Sequence, residues 1–582
     1  MMQKIQKKLP EILVILLCMI ILGVGVSGKE GFHMDELLSF ELANAEFNPW
    51  IVPTQPEGRL AKFVHNEIDG ETLGETLGNF VGVVKDVLQN GGNSRLLTYQ
   101  ADVYAEPAWI TGEQFRDYIT VDGADDFNYL SVYFNVKDDN HPPIHFMLLH
   151  TVSSLFQGAV KPVMGCVINM VAVAFSMALL MAIGKYLAAA FGMEEQGRAL
   201  GLSAALLYGI STGALASVLL IRMYCVMTCF CVASFYYHVK KWQTGSFNKK
   251  NKGLIAVTVL GFLTQYFFLF YCILLAAVTA VLLWCHKRRK ELWIYVRSMI
   301  CAAVIGVGCY PFAVLHVFSS GRGVEALENL SSGLDGYGKR LAAFGSILAE
   351  RSFGTVLSAV LVIVGAVLFV LWIKQCGKKN AVEKKNNGIA LLLLLVFPPT
   401  GYFLLAARMS PYQVDRYIMA VFPFVMLMGA LVFVVIACYL QKKSGRKYIL
   451  PLVWGVVLVL QVVRLAGYDG SYLYKGYMEQ ERVSAEYSGY PCICIYDGVG
   501  YYENLLEFAN YDKTLLVTQE ELKNRQEVQT LLSLKDVVVL MKGTVDEEQM
   551  CTILKEKYGL VFKADLLIDS VYGDGVYLFG RG

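Results

Sequence analysis

The 582 residues are 55% hydrophobic and only 17% charged, with a formal net charge of +2. A soluble globular chain carries about a quarter charged residues, so this composition excludes an ordinary soluble domain. The near-neutral balance also excludes a basic nucleic-acid binder.

A basic start (Lys4, Lys7, Lys8) leads into the first apolar run, 12–26. It reads as an uncleaved anchor rather than a signal peptide, because further runs follow it. Those runs fall at approximately 163–187, 200–216, 225–237, 254–265, 268–283, 293–315, 356–372, 389–405, 417–440 and 449–465. That makes about eleven, each near the length that crosses a bilayer core of about 30 Å, or slightly short of it. Basic clusters punctuate them: Lys240/Lys241 with Lys249/Lys250/Lys252, Lys287/Arg288/Arg289/Lys290, Lys374/Lys378/Lys379/Lys384/Lys385 and Lys442/Lys443/Arg446/Lys447. Basic loops stay cytoplasmic, which places the N-terminus and these clusters inside. The acidic or mixed segments 29–140, 316–352, 407–415 and the tail from 468 then lie outside. Because Lys252 and Lys287 are both on the inner side, 254–283 needs an even number of crossings. It reads as a tight hairpin with Gln265 and Tyr266 at its outer tip.

The first outer loop is too long to be a bare connector and should carry structure of its own. Its stretch 71–88 has the apolar spacing of an amphipathic helix. The apolar segment 142–156 begins with Pro-Pro and is short, which suits a helix lying along the outer interface. In the tail, β-rich runs 492–496, 514–517, 537–541 and 576–579 alternate with helical stretches 501–508, 519–532 and 547–558. That rhythm predicts a small α/β domain. The cysteines lie mostly in apolar runs, as small hydrophobes. Cys492, Cys494 and Cys551 lie outside, where one disulfide or free thiols fit equally. The expected fold is an α-helical polytopic membrane protein: anchor 1–28, extracytoplasmic loop with juxtamembrane helix 29–160, transmembrane core 161–467 and extracytoplasmic α/β domain 468–582.

Four outer motifs could carry chemistry. Phe32-His33-Met34-Asp35-Glu36 places two carboxylates just past the first span. A carboxylate near the bilayer surface suits proton abstraction from an attacking hydroxyl, although such a pair is also an ordinary loop charge. Asp138-Asp139-Asn140-His141-Pro142-Pro143 holds Asp139 and His141 at a helix entrance, or merely begins that helix. Ile221-Arg222-Met223-Tyr224 and Asp415-Arg416-Tyr417 put arginines at outer span ends, against the usual charge bias. A lipid-linked phosphate would give each guanidinium a bidentate partner. Headgroup contact, or a salt bridge of Arg416 to Asp415, is the plainer alternative.

The order of these motifs resembles the C-type glycosyltransferase superfamily, in particular the protein O-mannosyltransferase and aminoarabinose transferase group and bacterial relatives acting on surface polysaccharide. The resemblance spans roughly 12–465. It implies inverting, metal-independent transfer from a polyprenyl-phosphate sugar at the outer leaflet, with no cofactor. On that pattern Asp35 matches the catalytic aspartate, with Glu36 beside it. His141, Arg222 and Arg416 match positions near the donor phosphate, and Asp139, Tyr224, Gln265, Tyr266 and Tyr417 match the substrate cavity. The hairpin tip departs from the family's Thr-His-Tyr, reading Thr264-Gln265-Tyr266. The loop between Asp35 and His141 is also longer than the pattern. The expected partners are the lipid bilayer, the lipid-linked donor and an envelope glycan, lipid or protein acceptor. A flippase for lipid-linked saccharide would also need outer arginines and a groove, and a non-catalytic scaffold with a binding tail would not need Asp35.

Overall fold

The computed structural model describes residues 2–53, 59–98, 107–249, 251–318, 321–331, 335–375, 382–446, 448–525, 528–568 and 570–582, so Lys250, Lys378, Lys379 and Lys447 of the basic clusters lie outside the described residues. The chain divides into two compact units. The first comprises 1–26, 140–145 and 166–471; the second comprises 27–139, 146–165 and 472–582.

The first unit is helical and apolar, and the chain is a multi-pass membrane protein. Among the described residues seven helices are long and apolar enough to cross a bilayer: Lys8–Val26, Pro162–Ala190, Phe268–Cys285, Arg289–Cys309, Thr355–Lys374, Asn386–Met409 and Asp415–Ser444. The segment expected at 200–216 falls on a pair of helices, Glu194–Gly209 and Thr212–Leu219, bent by 55°. Ser211 restarts the helix there, its Oγ accepting from the Ala214 amide at 3.0 Å. The segments expected at 254–265 and 449–465 fall on shorter apolar helices, Lys252–Phe262 and Pro451–Ala466. The segment 225–237 lies in Tyr224–Thr244, whose last turns are polar. Between Lys252–Phe262 and Phe268–Cys285 the helix is interrupted at 263–267, where the hairpin tip was expected. Backbones also come close: a Cβ on Gly184 would sit 2.4 Å from the Gly201 nitrogen. Only glycine allows that approach, a common device between helices in lipid.

The second unit joins the first long loop to the tail. Its six strands are β1 (Trp109–Thr111), β2 (Cys492–Tyr496), β3 (Lys513–Thr518), β4 (Asp536–Met541), β5 (Leu560–Leu567) and β6 (Gly575–Arg581), in the order β1-β3-β2-β4-β6-β5. Strands β3, β2 and β4 are parallel and read as near-continuous apolar runs, as strands covered on both faces do. Ile493, Ile495, Leu515, Val539 and Met541 pack against Met550, Leu554 and Tyr558 of the helix Glu547–Tyr558. The polar residues Lys563 and Asp565 lie in β5 at one edge of the sheet, and their presence hid that strand from an apolar reading. The other edge is β1, contributed by the first loop and antiparallel to β3 with Trp109 opposite Leu515. The amphipathic helix of the loop runs Leu73–Asn90, with the Thr72 side chain capping Glu75. Cys492 and Cys494 are buried in β2, and the described cysteines are all free thiols.

Candidate functional site

In the second unit the site begins at the helix Met34–Asn44. His33 is its N-cap, with Nδ1 accepting from the Asp35 amide at 3.0 Å. The Glu36 carboxylate closes a capping box by accepting from the His33 amide at 2.8 Å. Because Nδ1 is an acceptor there, the geometry assigns His33 the neutral tautomer with its proton on Nε2. The Asp35 carboxylate lies 3.7 Å from that ring nitrogen and is 22% exposed, in the first turn where the helix dipole favours an anion.

Three carboxylates on this one helix meet three environments. Asp35 is partly exposed. Glu36 is buried and salt-bridged to buried Lys29 at 2.9 Å. Lys29 also donates to the Tyr472 carbonyl at 2.8 Å, so both partners of the pair are held from the tail side of the same unit. Glu41, further along, is wholly buried near Tyr118 and Tyr502, and burial pushes its carboxyl well above the usual range. Asp139, the remaining candidate in this unit, is buried just after the short helix Val136–Asp138, its amide donating to the Val136 carbonyl at 3.3 Å.

In the first unit three loops far apart in sequence meet around Tyr417. Its ring stands edge-on to Tyr224, with centroids 5.9 Å apart, and 5.7 Å from Phe267 beside Gln265 and Tyr266. The Arg416 guanidinium lies 5.3 Å from the same ring, and Tyr402 donates to the Tyr417 carbonyl at 2.9 Å. Arg222 is buried two residues before Tyr224. It lies near buried His145, and the Ile144 amide donates to the Leu263 carbonyl at 3.1 Å. The segment carrying His141 is thereby tied to the hairpin tip. Gln265 is buried, and the Tyr266 hydroxyl bonds His316 Nδ1 at 2.9 Å.

Sequence reasoning missed several supporting groups. Asp415 pairs with Arg351 at 2.8 Å, and Arg351 also reaches Asp469 at 3.0 Å, so the turn holding Arg416 is pinned by an arginine from another loop. Arg351 ends the amphipathic helix Tyr337–Arg351, a feature with no motif around it. Lys29, Tyr402, His145 and His316 were likewise unmarked; the only signal at Lys29 is a lone cation beside a span.

No protein-family model and no curated protein matches the sequence. The chain is similar to several solved structures at low sequence identity. One is ArnT from Cupriavidus metallidurans bound to undecaprenyl phosphate, at 10% identity over 75% of this chain and 88% of that one, TM-score 0.46. The apo state of that protein gives 11% identity over 75% and 87%, TM-score 0.42. The oligosaccharyltransferase of Archaeoglobus fulgidus, tethered with an acceptor peptide, gives 10% identity over 95% and 69%, TM-score 0.37.

Proposed function

We propose that this protein is a membrane glycosyltransferase that moves a sugar from a polyprenyl-phosphate donor to an acceptor hydroxyl on the outer side of the cytoplasmic membrane. The carrying observation is the meeting of the Arg222–Tyr224, Gln265–Phe267 and Arg416–Tyr417 loops around one tyrosine, with His141 on an adjoining segment. Arginines next to aromatic rings that meet one another suit a sugar attached to a phosphate. The arginines bind phosphate oxygens in a fork, and the rings give the sugar an apolar face.

Asp35 is the general base in this reading. The acceptor oxygen attacks the anomeric carbon from the face opposite the phosphate, and its proton passes to the Asp35 carboxylate. The bond from that carbon to the phosphate oxygen breaks, and polyprenyl phosphate leaves with both bonding electrons. Arg222, Arg416 and His141 offset the charge that grows on the phosphate; fixed donors of this kind contribute about 3 kcal/mol each in well-studied sites. Glu36 keeps the Asp35 turn in place through Lys29 and the His33 amide. This reading assigns Asp139, Tyr224, Gln265, Tyr266 and Tyr417 to substrate binding.

The test is transfer of radiolabelled sugar from undecaprenyl-phosphate glucose, mannose, galactose, N-acetylglucosamine and aminoarabinose in membranes carrying the protein. Intact protein should transfer from at least one donor. Asp35→Asn should lower the turnover at least about 10²-fold with the protein still inserted. Equal activity in the two would remove Asp35 as the base. Silence of the intact protein across the whole panel would overturn the enzyme reading.

A further inference from the structure

The tail has the topology in which open α/β sheets usually hold a ligand. Strand β2 lies between β3 and β4; the chain leaves β2 for β3 on one side and returns to β4 on the other. The carboxyl ends of β2 and β4 therefore flank a topological switch point, where crevices form. In this protein that crevice is occupied by the chain itself. The turn Ser570–Asp574 precedes β6, whose first residue Gly575 pairs with Met541 at the end of β4. The turn thus sits at the carboxyl edge.

It is held there closely. Lys542, the residue after β4, donates to Asp574 at 2.7 Å, Glu503 at 2.8 Å and Asn504 at 3.0 Å, and is itself buried. The Gly543 amide donates to the other Asp574 oxygen at 3.3 Å. A Cβ on Gly543 would stand 2.5 Å from the Gly573 carbonyl oxygen, so nothing larger than glycine fits. Within the turn, Ser570 Oγ accepts from the Tyr572 and Asp574 amides at 3.1 and 2.8 Å. Gln480 accepts from the Val571 amide at 2.6 Å and donates to Glu507 at 3.1 Å. What this frame presents outward is Tyr572. Its ring packs against Tyr474 and Tyr477, and its hydroxyl donates to the Phe32 carbonyl at 2.6 Å. Phe32 is three residues before Asp35.

The same surface grips the preceding residues. The Glu30 amide donates to the Leu473 carbonyl at 2.8 Å, and Glu30 accepts from the Gly476 amide at 2.7 Å. Gly31 lies so close that a Cβ would meet the Tyr477 ring at 2.7 Å. Tyr472 and Tyr474 adopt left-handed backbone, φ +67° and +51°, a conformation unusual for aromatic residues and maintained only where packing demands it.

We propose that Tyr572 is a positioning residue for the Asp35 turn, and that the α/β domain uses its switch-point crevice to hold the segment leading into Asp35. This rests on the reading of Asp35 as general base, but its structural half can be measured without activity. The experiment uses the full chain in detergent, comparing wild type, Tyr572→Phe and Tyr577→Phe by hydrogen exchange and by sugar transfer from the undecaprenyl-phosphate panel. Tyr577 is the control, since its hydroxyl bonds Glu547 at 2.5 Å elsewhere on the sheet.

Tyr572→Phe should speed exchange of the amides of residues 33–37 about tenfold, the factor for one lost hydrogen bond, while β4 and β6 keep wild-type protection. It should lower kcat about tenfold with little change in the KM for donor. Tyr577→Phe should alter neither. Unchanged exchange at 33–37 would overturn the inference. So would equal loosening of β4 and β6, because the hydroxyl would then be supporting the sheet. Faster exchange at 33–37 in a protein whose wild type transfers no sugar would retain the positioning role and remove the glycosyltransferase reading.

Discussion

Asp35 and Glu36 are neighbours in sequence and unlike in environment. Asp35 is partly exposed at a helix N-terminus, whereas Glu36 and Lys29 form a pair with no solvent access to either side chain. Removing one partner of such a pair leaves an uncompensated buried charge, costing about 3–5 kcal/mol. Lys29→Met should therefore lower the thermal unfolding midpoint of the solubilised protein by several degrees, and Lys29→Met with Glu36→Leu should recover most of the loss. Asp35→Asn should leave the midpoint nearly unchanged while removing turnover. Arg351 invites a second prediction at this scale. Its fork bonds Asp415 and Asp469 together, which a lysine's single ammonium cannot reproduce. In Arg351→Lys the KM for the lipid-linked donor should rise about tenfold, with kcat much less affected, as measured by initial rates over a range of donor concentration.

Among the elements, the helix Leu505–Phe508 carries Glu507 wholly inside the tail domain. Burial pushes this carboxyl up to about 7, against hydrogen bonds from Asn504 and Gln480 and the nearby Lys542, which favour its anion; Asp574 adds to the upward shift. An acid whose folded pKa is raised contributes stability fully below its unfolded value of 4.5 and loses it as pH rises through about 7. The tail should thus be less stable at pH 8 than at pH 5 by on the order of 2–3 kcal/mol from this group. Glu507→Gln should flatten that slope, read as hydrogen-exchange protection of β2 and β4 at the two pH values. The joint after β1 is equally specific. Gly112 donates its amide to the Asp512 carbonyl at 3.2 Å, and a Cβ there would stand 2.3 Å from the Tyr511 carbonyl oxygen. Gly112→Ala should force β1 off the sheet edge and raise exchange in β3 before any other strand.

For the whole molecule, the second unit is assembled from pieces separated by the entire transmembrane core. β1 and β3 pair across roughly four hundred residues, and Phe32 accepts a bond from Tyr572 across 540. Such contacts are costly to close and form only if both pieces are present. A chain truncated after residue 467 should still insert in the membrane, yet its first loop should be cut rapidly by protease in limited digestion, and transfer should vanish. Protection equal to the intact chain would mean the loop folds without the tail.

The sequence by itself determined what local chemistry dictates. Long apolar runs have to satisfy their backbone internally in lipid, so their helices were legible, as was the interruption before Phe268. The parallel strands were legible because strands covered on both faces are apolar throughout. The order of the Asp35, Arg222 and Arg416 motifs carries the resemblance on which the proposed chemistry rests. Tertiary structure decided the rest, because it depends on pairings that leave no periodic trace. Lys29 and Glu36 read as loop charges until burial joins them, and the bond of Asp415 to Arg351, at the end of the helix Tyr337–Arg351, has no local signal. The polar edge strand β5 and the three-residue β1 carry too little apolar pattern to announce themselves. At the carboxyl edge of β4 the turn before β6 is held by pairing of Asp574 with Lys542, and Tyr572 bonds onward to Phe32, partners that lie far apart in sequence.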